Sequence, residues 1–225
     1  MNFISDPVVA RKKIDEKKLL VFDFDGVIAD SVEVKTDAFA ELYRPYGEFV
    51  VKRVIDHHRD NGGMSRYEKF YHYHKEFLGQ DIDQEKINDL SHQFSEIVVD
   101  KVVSSVGIAG AKYILEHYCG IGKICVVNSA TPQDEICKIV KRRNQDNYFS
   151  KVYGSPASKV ENLKKVMSHF RIPSHDMVFF GDARSDMEAA YNTNVDFIGI
   201  GEKIRNVIHE YEGDRISLLS FNGIL

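Results

Sequence analysis

Short apolar runs punctuate this chain, and amphipathic stretches separate most of them. The run from Leu19 to Phe24 is partly β-branched or aromatic and predicts a buried strand that closes at Asp23. Runs at 123–127, 149–153, 177–180 and 195–200 predict four more strands. Between them, apolar residues recur at helical spacing. Gly110 to Tyr118 predicts a short helix, and Pro132 opens another through Ile136, Ile139 and Val140. Ser158 caps a helix through Leu163, Val166 and Met167, and Met187 with Ala190 marks the next. The tail reads as mostly helical to about Tyr211. Strand alternating with helix predicts an α/β fold, a Rossmann-like parallel sheet with helices on both faces and right-handed crossovers.

The pattern changes from Ser31 to about Ser104. Val34, Ala38 and Leu42, then Phe70, Tyr73 and Phe77, then Ile87, Leu90, Phe94, Ile97 and Val98 keep three- and four-residue spacing without a convincing strand. The stretch is too long for a loop. It predicts a small all-helical domain over 31–103, inserted into an α/β core made of 1–30 and 104–225. Residues 1–17 are polar and basic and read as a loosely packed lead-in.

Inside the helical stretch, Gly62-Gly63 breaks the periodicity, and Ser65 with Glu68 three positions on forms a capping-box pattern. This predicts a flexible turn feeding a helix start, flanked by Arg59 and Arg66. It is either an ordinary helix connection or a loop that touches substrate; the second reading makes Arg59, Gly62, Gly63 and Arg66 candidate substrate contacts. His57, His58, His72 and His74 lack the one-face spacing of helical zinc motifs and read as packed or solvated.

The 225 residues suffice for one large domain or a domain plus a smaller one, and 43% apolar with 28% charged residues fits a globular chain. A net charge of −4 gives no general nucleic-acid or membrane binder. Cys119, Cys125 and Cys137 form no C-x-x-C pair, which fits a reducing compartment. With neither a signal-peptide core nor an apolar run near the roughly 20 residues of a membrane helix, the expectation is a cytoplasmic protein. A monomer and a homodimer are equally compatible with the sequence.

The polar residues follow the predicted strands. Asp23 and Asp25 end the first, Ser129 the second, Lys159 lies beyond the third, and Asp182 with Asp186 beyond the fourth. Parallel strands place their carboxyl ends on one edge, where such sheets bind ligands. Buried acids need a cation, and hard oxygen donors suit magnesium with a substrate phosphate. One carboxylate can attack phosphorus. A second, kept protonated by crowded acidic neighbours, can protonate the leaving oxygen. Lysine and hydroxyl can hold the phosphoryl oxygens.

Asp23-Phe-Asp25-Gly-Val-Ile-Ala-Asp-Ser31 resembles the first motif of the haloacid dehalogenase superfamily. Val-Val-Asn-Ser129, Lys159 and Gly-Asp182-x-x-x-Asp186 resemble the other three, in order. The helical insertion after the first strand is similar to the cap of the phosphoglycolate phosphatase and β-phosphoglucomutase branch. The resemblance implies that Asp23 is the nucleophile and a metal ligand. It implies that Asp25 is the general acid and base, its carbonyl also on the metal. Ser129, Ala130 and Lys159 would bind phosphoryl oxygens, and Asp182 and Asp186 the Mg2+ ion, Asp186 directly or through water. It further implies a small phosphorylated metabolite as substrate. Two positions depart from the family pattern: Asn128 replaces a threonine or small residue, and Val-Glu-Asn follows Lys159 where a proline-rich continuation is common.

The rival reading is a phosphomutase, whose second phosphate site would draw on Arg59, Arg66 and Lys69. A dehalogenase fits less well, since Asp25 is placed to protonate an oxygen leaving group. A silent phosphate-binding module is disfavoured by the complete set of catalytic groups.

Overall fold

The computed structural model describes residues 4–210 and 214–225. Six strands, β1 (Leu19–Phe22), β2 (Ile124–Pro132), β3 (Lys151–Ser155), β4 (Met177–Gly181), β5 (Asp196–Ile200) and β6 (Ile216–Leu218), form one sheet. Every pairing is parallel, and the order is β3-β2-β1-β4-β5-β6. The helices are α1 (Pro7–Asp15), α2 (Val32–Tyr43), α3 (Glu48–Asp60), α4 (Arg66–His72), α5 (Gln84–Ser104) and α6 (Ala111–Gly120), followed by α7 (Gln133–Arg142), α8 (Lys159–Phe170), α9 (Arg184–Thr193) and α10 (Glu202–Arg205).

β1 lies between β2 and β4 and is buried on both faces, so its sequence is a continuous apolar run rather than an alternating one. Strand side chains alternate, and the core divides accordingly. Leu20 and Phe22 join Ala10, Ile14, Ile114 and Leu115 of α1 and α6 in one apolar cluster. Leu19 and Val21 join Leu163, Val166 and Met187 of α8 and α9 in another. Each of the Leu, Ile, Val, Phe and Met side chains among these contributes about 1.5–3 kcal/mol by leaving water.

The N-terminal stretch is not a loose lead-in. Asp6 caps α1 by accepting from the Val8 N–H at 2.8 Å, and Ala10 and Ile14 are fully buried. Lys13 (2.9 Å) and Lys17 both pair with Asp196 on β5. Polar composition hid two apolar positions four residues apart, enough to dock one helical face. The tail carries α10 and a 3₁₀ turn at 208–210, in keeping with a mostly helical stretch, but then adds β6, an unexpected strand that extends the sheet; Tyr211 lies outside the described residues. The three residues of β6 are too few to show a period. β2 runs on to Pro132, past the expected Val127, and β3 sits two residues later than its apolar run.

All of α2 to α5 lies between β1 and α6 in the chain. α2 packs against α3 and α5. The Phe39 ring lies 5.6 Å from Phe70, 5.8 Å from Tyr73 and 4.4 Å from Phe94, and these aromatics fill the space between the helices. Arg66 on α4 ties this layer to α7. Its guanidinium makes a two-pronged pair with Glu135, one contact at 2.9 Å, and donates to Ser95 Oγ at 2.8 Å.

Candidate active site

Four turns meet at the carboxyl edge of β3, β2, β1 and β4. Asp23 follows β1 directly, and its N–H continues the ladder to the Phe180 carbonyl at 2.9 Å. The chain then turns at Gly26, whose φ of +78° suits glycine. A Cβ at Gly26 would overlap the Asp182 carboxylate, so this glycine also lets motif one approach motif four.

Ser129 ends the unbroken buried run of β2, and its hydroxyl accepts from the Thr131 N–H at 3.1 Å. Ser158 starts α8 with a full capping box to Glu161, and Lys159 takes the first helical position. The Lys159 ammonium sits between Asp23, at 3.1 Å, and Asp186. Asp186 is fully buried, and its other oxygen accepts from the Ala183 N–H at 3.2 Å.

The two departures from the family pattern are one structural feature. The buried Asn128 amide donates to the Lys159 carbonyl at 3.0 Å and accepts from Asn162 at 3.1 Å. Asn162, the last residue of the Val-Glu-Asn continuation, also donates to the Gly154 carbonyl at 3.3 Å. These amides fix the start of α8, and with it Lys159.

Charge is unevenly shared. Burial lifts the Asp23 carboxyl to about 7 against the pull of Lys159, with Asp186 and Asp25 adding to the rise. Burial also lifts Asp182, helped by Asp23 and Asp186. Lys159 is raised despite burial, because Asp186 and Asp23 hold its proton. Asp25 differs from its expected protonated state. Burial works against its charge, but Lys35 Nζ at 2.5 Å and Ser31 Oγ at 2.6 Å outweigh it and hold the carboxyl below its ordinary range. The acidic crowding falls on Asp23 and Asp182, while Asp25 faces α2.

Asp23, Asp182 and Asp186 bring one carboxylate oxygen each within 4.8 Å of one another. Three hard oxygen donors, two of them destabilised as anions, form a donor set that fits a magnesium ion. Among the described residues no other His, Cys, Asp or Glu cluster has this spacing. His58 and His74 are packed inside the helical layer, and His57 stacks on His72 at 4.2 Å.

A cavity of about 330 Å³ opens over these groups; Asp23, Asp25, Ser129, Ala130, Lys159 and Asp182 line its sheet side. The turn between α3 and α4 covers the other side. Gly62 and Gly63 lie against Ala183, Ser185 and Lys159. Arg59 is exposed and donates to Glu33 at 2.9 Å, while Arg66 is committed to Glu135. Arg184 pairs with Glu210, as a salt-bridging surface residue does.

Sequence reasoning missed Lys35 and Thr131, gave His58 no part beyond packing or solvation, and named Lys69 only for the rival's second phosphate site; all four line the cavity. Lys35 donates to Asp25 and, at 2.7 Å, to Thr131 Oγ1. Its signal was present: Ser31 and Lys35 stand four apart at the head of α2, on one face. Arg66, Lys69, Phe70 and Tyr73 likewise share one helical stripe, which places two cations on a core-facing side.

A family model described as haloacid dehalogenase-like hydrolase matches residues 20–200. A comparison with curated proteins returns no match. Among solved structures, a protein from Bacteroides vulgatus assigned as a β-phosphoglucomutase superposes with TM-score 0.76 at 14% identity, covering 96% of this chain and 93% of that one. A mutant of CbbY from Rhodobacter sphaeroides in complex with xylulose 1,5-bisphosphate gives 0.73 at 17%, covering 92% and 96%. A protein from Haemophilus somnus assigned as a phosphoglycolate phosphatase gives 0.69 at 15%, covering 93% and 96%.

Proposed function

Because the chain belongs to the haloacid dehalogenase-like hydrolases, we propose that it is a magnesium-dependent phosphatase of a small phosphorylated metabolite, acting in the cytoplasm. The observation that carries this reading is the arrangement of Asp23, Lys159, Asp182 and Asp186 beside the Asp25–Lys35 pair in one cavity. Asp23 attacks phosphorus in line, forming an aspartyl-phosphate as the bond to the leaving oxygen breaks. Lys159 and the Ser129 hydroxyl hold the phosphoryl oxygens. When bound at the three aspartates, Mg2+ neutralises the charge of the transferring group. The arriving phosphoryl dianion puts negative charge beside Asp25 and raises its proton affinity. A proton shared with Lys35 then passes through Asp25 to the leaving alcohol. In the second half the same pair takes a proton from the water that cleaves the aspartyl-phosphate.

A panel of phosphorylated metabolites assayed for phosphate release with and without magnesium tests the proposal. Release from at least one phosphomonoester, lost on chelation and restored by magnesium, is expected. A bisphosphate requirement with poor hydrolysis would favour the mutase instead; the bound sugar bisphosphate of the CbbY relative is the observation behind that second reading.

We further propose that 31–103 is a cap over a core of 1–30 and 104–225, closed here over the cavity. A Cβ on Gly63 would overlap Ser185 Oγ, whereas one on Gly62 would meet Ala183 at an ordinary 3.6 Å. Gly63→Ala is therefore expected to raise KM and lower kcat/KM by about tenfold or more, since positioning is sensitive to shifts near 1 Å. Gly62→Ala should stay within about threefold. Equal steady-state constants for the two variants would remove the turn from the closing surface.

A further inference from the structure

Seven cationic side chains line the cavity. Lys35, Arg59, Arg66, Lys159, Arg184 and Lys203 each lie within ion-pair distance of a carboxylate. Lys69 alone has none among the described residues. It is 1% exposed, and the one hydrogen bond of its ammonium among the described residues is to His58 Nδ1 at 2.8 Å. An ammonium only donates, so Nδ1 accepts and the ring proton sits on Nε2. Burial and then Lys69 push the His58 imidazolium down to about 2, so the ring is neutral. His58 is itself 4% exposed, and its Nε2 has no hydrogen-bond partner. Two Lys69 hydrogens and one His58 hydrogen are thus unanswered in a nearly dry place.

Such a placement is costly on its own, since a buried cation and a buried N–H each call for an acceptor. The protein opposes the charge elsewhere too: burial, then Lys35, push the Lys69 ammonium down to about 7. The Phe39 ring, 5.5 Å from Lys69 Nζ and 4.8 Å from the His58 ring, gives only an apolar floor. What completes this group is an anion that enters the cavity.

We propose that Lys69 and His58 form a subsite for a second acidic group of the substrate, a carboxylate or a further phosphate, in addition to the phosphoryl group that Asp23 attacks. This rests on the phosphatase reading and sharpens its substrate class. Of Arg59, Arg66 and Lys69, the cations that sequence alone suggests for a second phosphate, the two arginines are already neutralised by Glu33 and Glu135. In a cavity of about 330 Å³, the two acidic groups lie only a few bonds apart.

Matched esters test the subsite: 2-phosphoglycolate against 2-hydroxyethyl phosphate for a carboxylate, and propane-1,3-diol bisphosphate against 3-hydroxypropyl phosphate for a phosphate. Wild type is expected to favour the acidic member of one pair by about tenfold to a hundredfold in kcat/KM, the range of a hydrogen-bonded charge. Lys69→Met should bring that ratio close to one, mainly through KM, and Lys69→Gln provides a second variant should the first fail to fold. A wild-type ratio near one for both pairs, or a ratio unchanged within twofold in the variants, overturns the subsite while leaving the phosphatase reading standing. No phosphate release from any ester, an aryl phosphate included, overturns the phosphatase reading. Calorimetric titration of 2-phosphoglycolate then decides the subsite. Binding weakened tenfold by Lys69→Met upholds it, and equal affinity for the variant overturns it.

Discussion

Asp23→Asn is expected to abolish phosphate release, by roughly a thousandfold or more, while leaving the fold intact. The amide keeps the shape and one acceptor oxygen but cannot form the aspartyl-phosphate. Stability should not fall with activity. The Asp23 carboxyl titrates near 7 in the fold against 3.8 for a free carboxyl, so the folded chain holds that proton more tightly than the unfolded one. Below about pH 4 the group is protonated in both states and costs nothing. As pH rises toward 7 the penalty for ionising it grows to the order of a few kcal/mol in the metal-free protein. Thermal melts of metal-free protein should therefore show wild type losing stability from pH 4 to 8 more steeply than Asp23→Asn. Turnover above about a tenth of wild type in the variant would sink the nucleophile assignment.

The largest expected loss of stability comes from Arg66→Ala. Arg66 and Glu135 have side chains 4% and 8% exposed, and removing one partner leaves the other charge buried and unpaired. That situation costs about 3–5 kcal/mol. For a chain of this size it corresponds to a fall of about 10 °C or more in the melting midpoint. Replacing both partners, Arg66→Met with Glu135→Leu, should recover most of the loss, because no orphaned charge remains. The pair also joins α4 to α7, so Arg66→Ala should expose the helical layer to proteolysis before the sheet. An Arg66→Ala midpoint within about 2 °C of wild type would mean that the pair contributes little to stability.

The sheet was legible because its strands are buried on both faces. Leu19–Phe22 and Met177–Phe180 are continuous apolar runs, which little else in the chain imitates. Asp23, Asp25, Ser129 and Asp182 were legible for the same reason, since each follows the end of such a run, while Lys159 and Asp186 were found by their order in the motif set. The capping boxes at Ser65 and Ser158 depend on a three-residue spacing and were equally readable. What escaped sequence reading depends on who faces whom. Asp25 looked crowded by acids, yet its carboxylate is held by Lys35, ten residues on and one layer away. Arg59 and Arg66 looked free for substrate, because nothing in their neighbourhood announces Glu33 or Glu135 as partners. Lys69 stood beside those two arginines as a candidate for a second phosphate, and only its burial sets it apart from them. Motifs locate groups by chain position; ionic partners are chosen by packing.

The place of β1 in the sheet also sets an order of events. This strand is made early, yet its flanking strands begin at Ile124 and Met177. At ribosomal speeds of about 5–20 residues per second, its second edge waits roughly ten to thirty seconds for a partner. The intervening helices are rich in local contacts and assemble far sooner. The proposed cap thus takes shape before the sheet edge that gathers Asp23, Ser129, Lys159 and Asp182, and Asp23, at the end of β1, is among the last to find its neighbours.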